Sequence, residues 1–383
     1  MATVNICGFE TGDATELVSL TGTASIQSSV VRTGGYALRS NPTGSGGGSG
    51  TLWGLDASGL PVVHSLTTYY MRFYFRYAIK PAAGNEMIAA IDGDSSAKFQ
   101  SALLLRLNSD GTLAAYRSRG NYLTAGLLGT GSAVLSQDTW YRIEMMRSST
   151  AHAPWEVRVN GVTDISGSDG PSVITSGAFT LGKAGNANSQ TVDFFYDDVV
   201  ISNSGFPGAG AVIALHPDGT IADDWSIGAG SGSDYQQIDE TTPDGDTTYL
   251  VASVVGSTGT FTLTDTGIDP ASVINTCKLL GGFKTGSGSP AVNMFLSTAL
   301  GHNCDPTGDY STTGSYVVLG QVNDTGPAVD GSPAWTPADL DGCFANIQFS
   351  SGVGSVPRCT YLAVMVDYGP PPQPPVRTIL GVL

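Results

Sequence analysis

Between Thr67 and Lys80 the chain alternates without a break. Tyr69, Met71, Phe73, Phe75, Tyr77 and Ile79 fall on one parity, and Tyr70, Arg72, Tyr74, Arg76 and Ala78 fall on the other. A helix repeats every 3.6 residues and would mix the two sets, whereas a strand repeats every two. The stretch therefore predicts a long strand with one face on a core. Its other face, Tyr70-Arg72-Tyr74-Arg76, is neither core-like nor an ordinary solvent coating.

The same pattern in shorter form fills the first half. Strands are expected near Val4–Glu10, Ala24–Val31, Tyr36–Ser40, Glu86–Ile91, Ala102–Leu107, Thr112–Arg117, Trp140–Arg147, Trp155–Asn160 and Ala178–Lys183. Asn160-Gly161 is a hairpin signal. Thr43–Gly50 reads as a low-complexity Gly/Ser loop, flexible by composition. Val192–Ser202 is a closing strand, apolar except for Asp193 and the pair Asp197-Asp198, with a Gly/Pro/Ala segment behind it. Carboxylates in such a strand need partners.

A second set follows at Val212–His216, Thr247–Val255, Thr260–Thr264, Val273–Phe283, Val292–Thr298, Ser315–Val322, Cys343–Ser350 and Cys359–Tyr368. The one helical cue is Trp335–Leu340, where Thr336 caps, Pro337 takes the first position and Asp339 complements the dipole. With 51 Gly, 20 Pro and 13% charged residues, yet 41% apolar, the chain suits short strands joined by turns. The expectation is an all-β protein of two domains: residues 1–203, a linker 204–210, a second β-sandwich 211–368, and an extended Pro-rich arm with an apolar tail, 369–383. Val376, Ile379, Leu380, Val382 and Leu383 have no core of their own and are expected to dock on another surface.

The formal charge is −16, with 13 Lys and Arg against 16 Asp and Glu in residues 1–210 and 4 against 17 beyond. Nucleic-acid binding needs clustered cations, and neither half has them. No apolar run is long enough to span a bilayer, so no membrane insertion is expected. Met1–Asn5 lacks the marks of a signal peptide. Five cysteines form no zinc pattern; reduced thiols suit assembly in a cytosol, and bridges among Cys277, Cys304, Cys343 and Cys359 are the alternative.

Residues 5–202 resemble the concanavalin A-like (LamG-like) jelly-roll superfamily. The likeness rests on Gly8-Phe9-Glu10-Thr11-Gly12-Asp13, Trp140-Tyr141-Arg142-Ile143, Val157-Arg158-Val159-Asn160-Gly161 and Phe195-Tyr196-Asp197-Asp198-Val199. The second domain resembles β-sandwich modules of bacteriophage virion proteins, through Asp239–Tyr249 and Trp335–Asp339. The first resemblance implies a structural calcium held by Glu10 and Asp198, with Asp13 or Asp197 nearby. Hydrogen bonds from loop backbone, or an arginine, are the other possible use of the aspartate pair. No other cofactor is implied.

Glycosidases of that fold carry Glu-x-Asp-x-x-Glu on one strand, and none of the six glutamates here stands in that motif. Glu144 and Glu156 fall in Arg-rich alternations expected on an exposed, salt-bridged face. The family's concave sheet face binds glycans, so Tyr70, Arg72, Tyr74 and Arg76 are a protein interface, a glycan face, or side chains packed under the rest of the chain. Together the resemblances imply a non-enzymatic virion structural protein, either capsid decoration or tail-associated. It would sit on the particle surface, assembled in the host cytoplasm with other virion proteins, and form a homo-oligomer. The rival is a carbohydrate-binding adhesin.

Overall fold

A computed structural model describes residues 3–55, 61–62, 68–92, 103–118, 126–148, 154–168, 178–183, 190–285, 290–298, 310–312, 315–323, 335–352 and 356–371. Val376, Ile379, Leu380, Val382, Leu383 and Cys304 lie outside them.

The protein is all-β, with every strand pair antiparallel among the described residues. One eight-stranded sheet runs in the order Val162–Gly167, Trp155–Val159, Tyr141–Ser148, Thr68–Ile79, Asp193–Ser202, Ala37–Ser40, Ala24–Gln27, and Thr3–Cys7 also pairs with Asp193–Ser202. The facing sheet runs Gly126–Val134, Thr112–Arg117, Leu103–Asn108, Asn85–Asp92, Ala178–Lys183, Gly48–Leu55, Ser19–Gly22, with Pro61–Val62 on Gly48–Leu55. Phe73, Phe75, Ile143 and Tyr196 of the first sheet and Ile88, Leu105 and Phe179 of the second form a single apolar core. Apolar area removed from water on both inner faces is the main drive for this layering.

Residues 211–369 build a second sandwich. One sheet orders Trp225–Ala229, Tyr249–Ala252, Pro357–Gly369, Val273–Thr285, Val317–Asn323, with Ala211–Leu215 also on Pro357–Gly369. The other orders Pro217–Asp223, Thr258–Leu263, Cys343–Ser351, Ala291–Thr298, Tyr310–Ser311. The single α-helix among the described residues is Pro337–Asp341. Thr336 Oγ1 accepts from Asp339 N at 3.2 Å while Asp339 Oδ2 accepts from Thr336 N at 2.8 Å, a reciprocal capping box.

The alternating strand is present as Thr68–Ile79, with Tyr69 to Tyr77 buried on the core parity. Ile79, expected there too, is 48% exposed; it still pairs with Asp193, but the register shifts between Asp193 and Phe194 and the alternation ends there. At Asn160-Gly161 both φ angles are positive, 51° and 86°, as a two-residue hairpin requires. The Gly/Ser loop is shorter than its composition suggests. Gly48–Leu55 is a strand between Ser19–Gly22 and Ala178–Lys183, where a Cβ on Gly50 would stand 3.1 Å from Leu17 and Leu38. Glycine serves close packing there. Cys7, Cys277, Cys343 and Cys359 are buried thiols.

Candidate functional site: the seam between the sandwiches

The Tyr-Arg face of Thr68–Ile79 does not meet solvent as a free surface. Residues 203–210 lie across it as a strap, and the second sandwich closes over one end. Phe206 packs edge-on to Tyr70, with ring centroids 5.1 Å apart, and Arg158 lies over its face at 3.7 Å. Gly208 N donates to Glu144 Oε1 at 2.8 Å, and Gly210 N donates to the Tyr74 hydroxyl at 3.4 Å. Arg32 stacks on the Tyr74 ring at 3.4 Å. Arg76 pairs with Asp138 at 2.7 Å near the rim. Glu144, expected on an exposed face, is buried beneath this strap.

Arg72 is wholly buried. Its Nη2 meets Asp367 Oδ1 of the second domain at 2.6 Å, and its Nε donates to the Asp198 carbonyl at 3.2 Å. Asn275 Nδ2 donates to the other Asp367 oxygen at 3.0 Å. Burial pushes the Asp367 carboxyl up, against the pull of Arg72 and Asn275. A second cation, Lys278, is buried from the other side; its Nζ donates to Asn5 Oδ1 at 2.9 Å and to the Ile6 carbonyl at 3.1 Å. Burial lowers its pKa, with Glu16 opposing. Between these polar points Ile6, Val200, Val212, Leu280, Tyr361, Ala363 and Met365 form an apolar cluster shared by both domains. Buried charges are retained here only with partners, as their desolvation demands.

The aspartate pair organises this seam. The pairing of Asp193–Ser202 with Thr68–Ile79 slips between Asp197 and Val200, and Asp198 has φ 53°. An inserted residue of this kind is a β-bulge, which re-aims neighbouring side chains. Asp197 accepts from Arg32 N at 2.8 Å, Thr33 N at 3.4 Å and its neighbour Asp198 N at 2.8 Å. Asp198 takes the Arg32 guanidinium, Thr33 Oγ1 at 2.5 Å and, across the seam, Val212 N at 2.5 Å. Burial and the Asp198 charge hold the Asp197 carboxyl well above its usual range.

These contacts bear on whether calcium would fit here. Asp198 already has a guanidinium, a hydroxyl and an amide on its oxygens, and a fixed guanidinium excludes a second cation from the same site. Glu10 turns to Gly35 N, 2.7 Å away. No group of three or more His, Cys, Asp or Glu side chains among the described residues is placed to hold a metal ion. The donor set does not fit calcium.

Glu10 instead faces a cavity of about 390 Å³ between the domains, lined also by Tyr36, Leu215, His216, Asp265 and Thr266. Burial, with Glu16 and Asp198 adding to it, pushes the Glu10 carboxyl up to about 8. Burial lowers His216.

The sequence singled out Arg72 and Asp198 but missed Arg32, Lys278 and Asp367. For the last two a signal exists: each is a charge within an apolar strand, Val273–Thr285 or Pro357–Gly369, and such a charge must have a partner outside that strand.

No family model and no curated protein matches the sequence. Among solved structures, the cellulose-induced protein Cip1 aligns with 54% of this chain and 100% of its own at 15% identity, TM-score 0.41. A carbohydrate-binding module, CBM66 from Bacillus subtilis, aligns with 49% of this chain and 96% of its own at 11% identity, TM-score 0.33. The carbohydrate esterase vb_24B_21 of the Shiga toxin-encoding bacteriophage phi24B covers 49% of this chain and 90% of its own at 14% identity, TM-score 0.34. Likenesses at these scores carry no argument about function.

Proposed function

We propose that the chain is a non-enzymatic structural protein of a bacteriophage particle surface, a concanavalin A-like jelly roll joined rigidly to a second sandwich. The seam carries this reading. Its ion pair, its strap and its apolar cluster hold two domains as one body, which suits a load-bearing or spacing element more than a pair of hinged modules. The face best suited to stack on a sugar, Tyr70 with Arg72 and Tyr74, is spent on that internal contact. Assembly partners are other virion proteins and further copies of the chain, engaged through the arm 369–383.

The test is incorporation into purified particles, comparing the full chain with one lacking residues 376–383. Loss of incorporation, with no binding on a glycan array, supports the structural role. Undiminished incorporation of the truncated chain refutes the anchoring role of the tail. Glycan binding that strengthens in Phe206→Ala, which opens the strap, would establish the carbohydrate-binding alternative instead.

A further inference from the structure

Lys278 and Asn5 meet inside the seam, each only 3% exposed. They belong to different domains, Asn5 to Thr3–Cys7 and Lys278 to Val273–Thr285. Lys278 Nζ stands 2.9 Å from Asn5 Oδ1 and 3.1 Å from the Ile6 carbonyl oxygen. The carbon of a carbonyl is about 1.2 Å from its oxygen, so Asn5 Cγ lies within about 4 Å of the amine. Attack on that carbon needs about 3–3.5 Å, a gap that a small turn of either side chain closes.

The charges around the pair favour the reactive state. Arg72 is matched by the Asp367 carboxylate at 2.6 Å, whereas Lys278 Nζ donates to two neutral oxygens. Glu16 acts on Lys278 through its charge, and its own oxygens accept from Gly8 N and Thr11 N, both at 3.2 Å. Burial lowers the Lys278 pKa and raises those of Glu16 and of the adjoining Cys7 thiol. Moving one proton from Lys278 to Glu16 leaves both groups neutral, as their desolvation prefers. A neutral, desolvated lysine amine is a nucleophile.

We propose that Lys278 and Asn5 join in an intramolecular isopeptide bond, formed by the folded chain itself with Glu16 as the proton relay. Nζ, having given one proton to Glu16, attacks Asn5 Cγ, and the carbonyl electron pair moves onto Oδ1. When that pair returns, the Cγ–Nδ2 bond breaks. Nδ2 takes a second proton from Nζ and leaves as ammonia, which then collects the proton held by Glu16. One ammonium side chain and one primary amide thus become one secondary amide and one ammonium ion, with no oxidant or co-reactant. The bond ties the first strand of one sandwich to the other sandwich and makes the seam permanent. The assignment is independent of where the protein sits in a particle.

The intact mass of the purified full chain under denaturing conditions, followed by peptide mapping, tests it. A mass one ammonia below that of the sequence is expected, with a linked pair of peptides carrying Asn5 and Lys278. Lys278→Met and Asn5→Ala are each expected to show the full mass of their sequences. Glu16→Gln, in protein that still melts cooperatively, is expected to leave the pair unlinked. A wild-type mass equal to that of the sequence overturns the assignment. So does an ammonia loss that maps elsewhere, such as to Asn160-Gly161. Complete linkage in Glu16→Gln overturns the relay.

Discussion

Thr68–Ile79 and Pro357–Gly369 are two of the long strands that meet the seam, and both are covered on both faces. They record that fact differently. The first alternates apolar with Tyr and Arg, so its second face looks like a recognition surface. The second is an almost unbroken apolar run in which Leu362, Val364 and Val366 face their own core while Tyr361, Ala363 and Met365 face the neighbouring domain. The single charge near its end, Asp367, answers Arg72 of the first. A polar second face thus marks burial under another part of the chain as readily as it marks exposure, and an alternating pattern alone does not tell the two apart.

The comparison breaks most visibly at the ion pair. Asp367→Ala leaves Arg72 buried without its partner and is expected to cost about 3–5 kcal/mol in chemical denaturation. A double change, Arg72→Met with Asp367→Leu, is expected to recover most of that loss, because apolar pairs often replace buried ion pairs at little cost. Failure to recover would make this pair a determinant of domain geometry as well as of stability.

Next comes pH. Glu10 titrates near 8 in the folded chain, and Glu240 and Asp223 near 7, all above their unfolded values. The folded state then holds protons that the unfolded state has released, so the contribution of these three groups is full below about pH 4 and falls as pH rises from there to about 8. A Tm that falls between pH 5 and 8.5 is expected. Glu10→Gln is expected to flatten the upper part of that profile; an unchanged slope would remove Glu10 as a source.

Phe206→Ala tests the strap. It deletes an aromatic contact and a cation–π contact and is expected to cost about 1–2 kcal/mol, with faster amide exchange across residues 203–210. The smallest effect is expected far from the seam. Thr336→Ala removes one half of a capping box and is expected to cost about 1 kcal/mol without altering exchange at the seam.

Much of this was readable in the residues themselves. The two-residue period, the Asn160-Gly161 turn and the Thr336-Pro337 helix start are local rules, and each element formed where those rules put it. Strands without such a signature were not readable. Gly48–Leu55 is rich in glycine because neighbours approach closely, and Gly126–Val134 and Val162–Gly167 are edge strands whose exposed residues show little contrast between faces. The seam was half readable. Arg72 and Asp198 stood out as charges in apolar strands, but Arg72 and Asp367 are 295 residues apart, and only the folded chain brings them together.

Pro357–Gly369 also determines how the fold would answer a pull on the arm. The arm leaves from its last residues, and the strand is paired along its whole length with Val273–Thr285, from Gly369 opposite Val273 to Pro357 opposite Thr285. A pull on the arm along the strand axis therefore shears the ladder as a whole, where a perpendicular pull would open one hydrogen bond at a time. At its arm-proximal end the strand also carries Asp367, so tension entering there reaches the first sandwich through Arg72 directly and bypasses the linker.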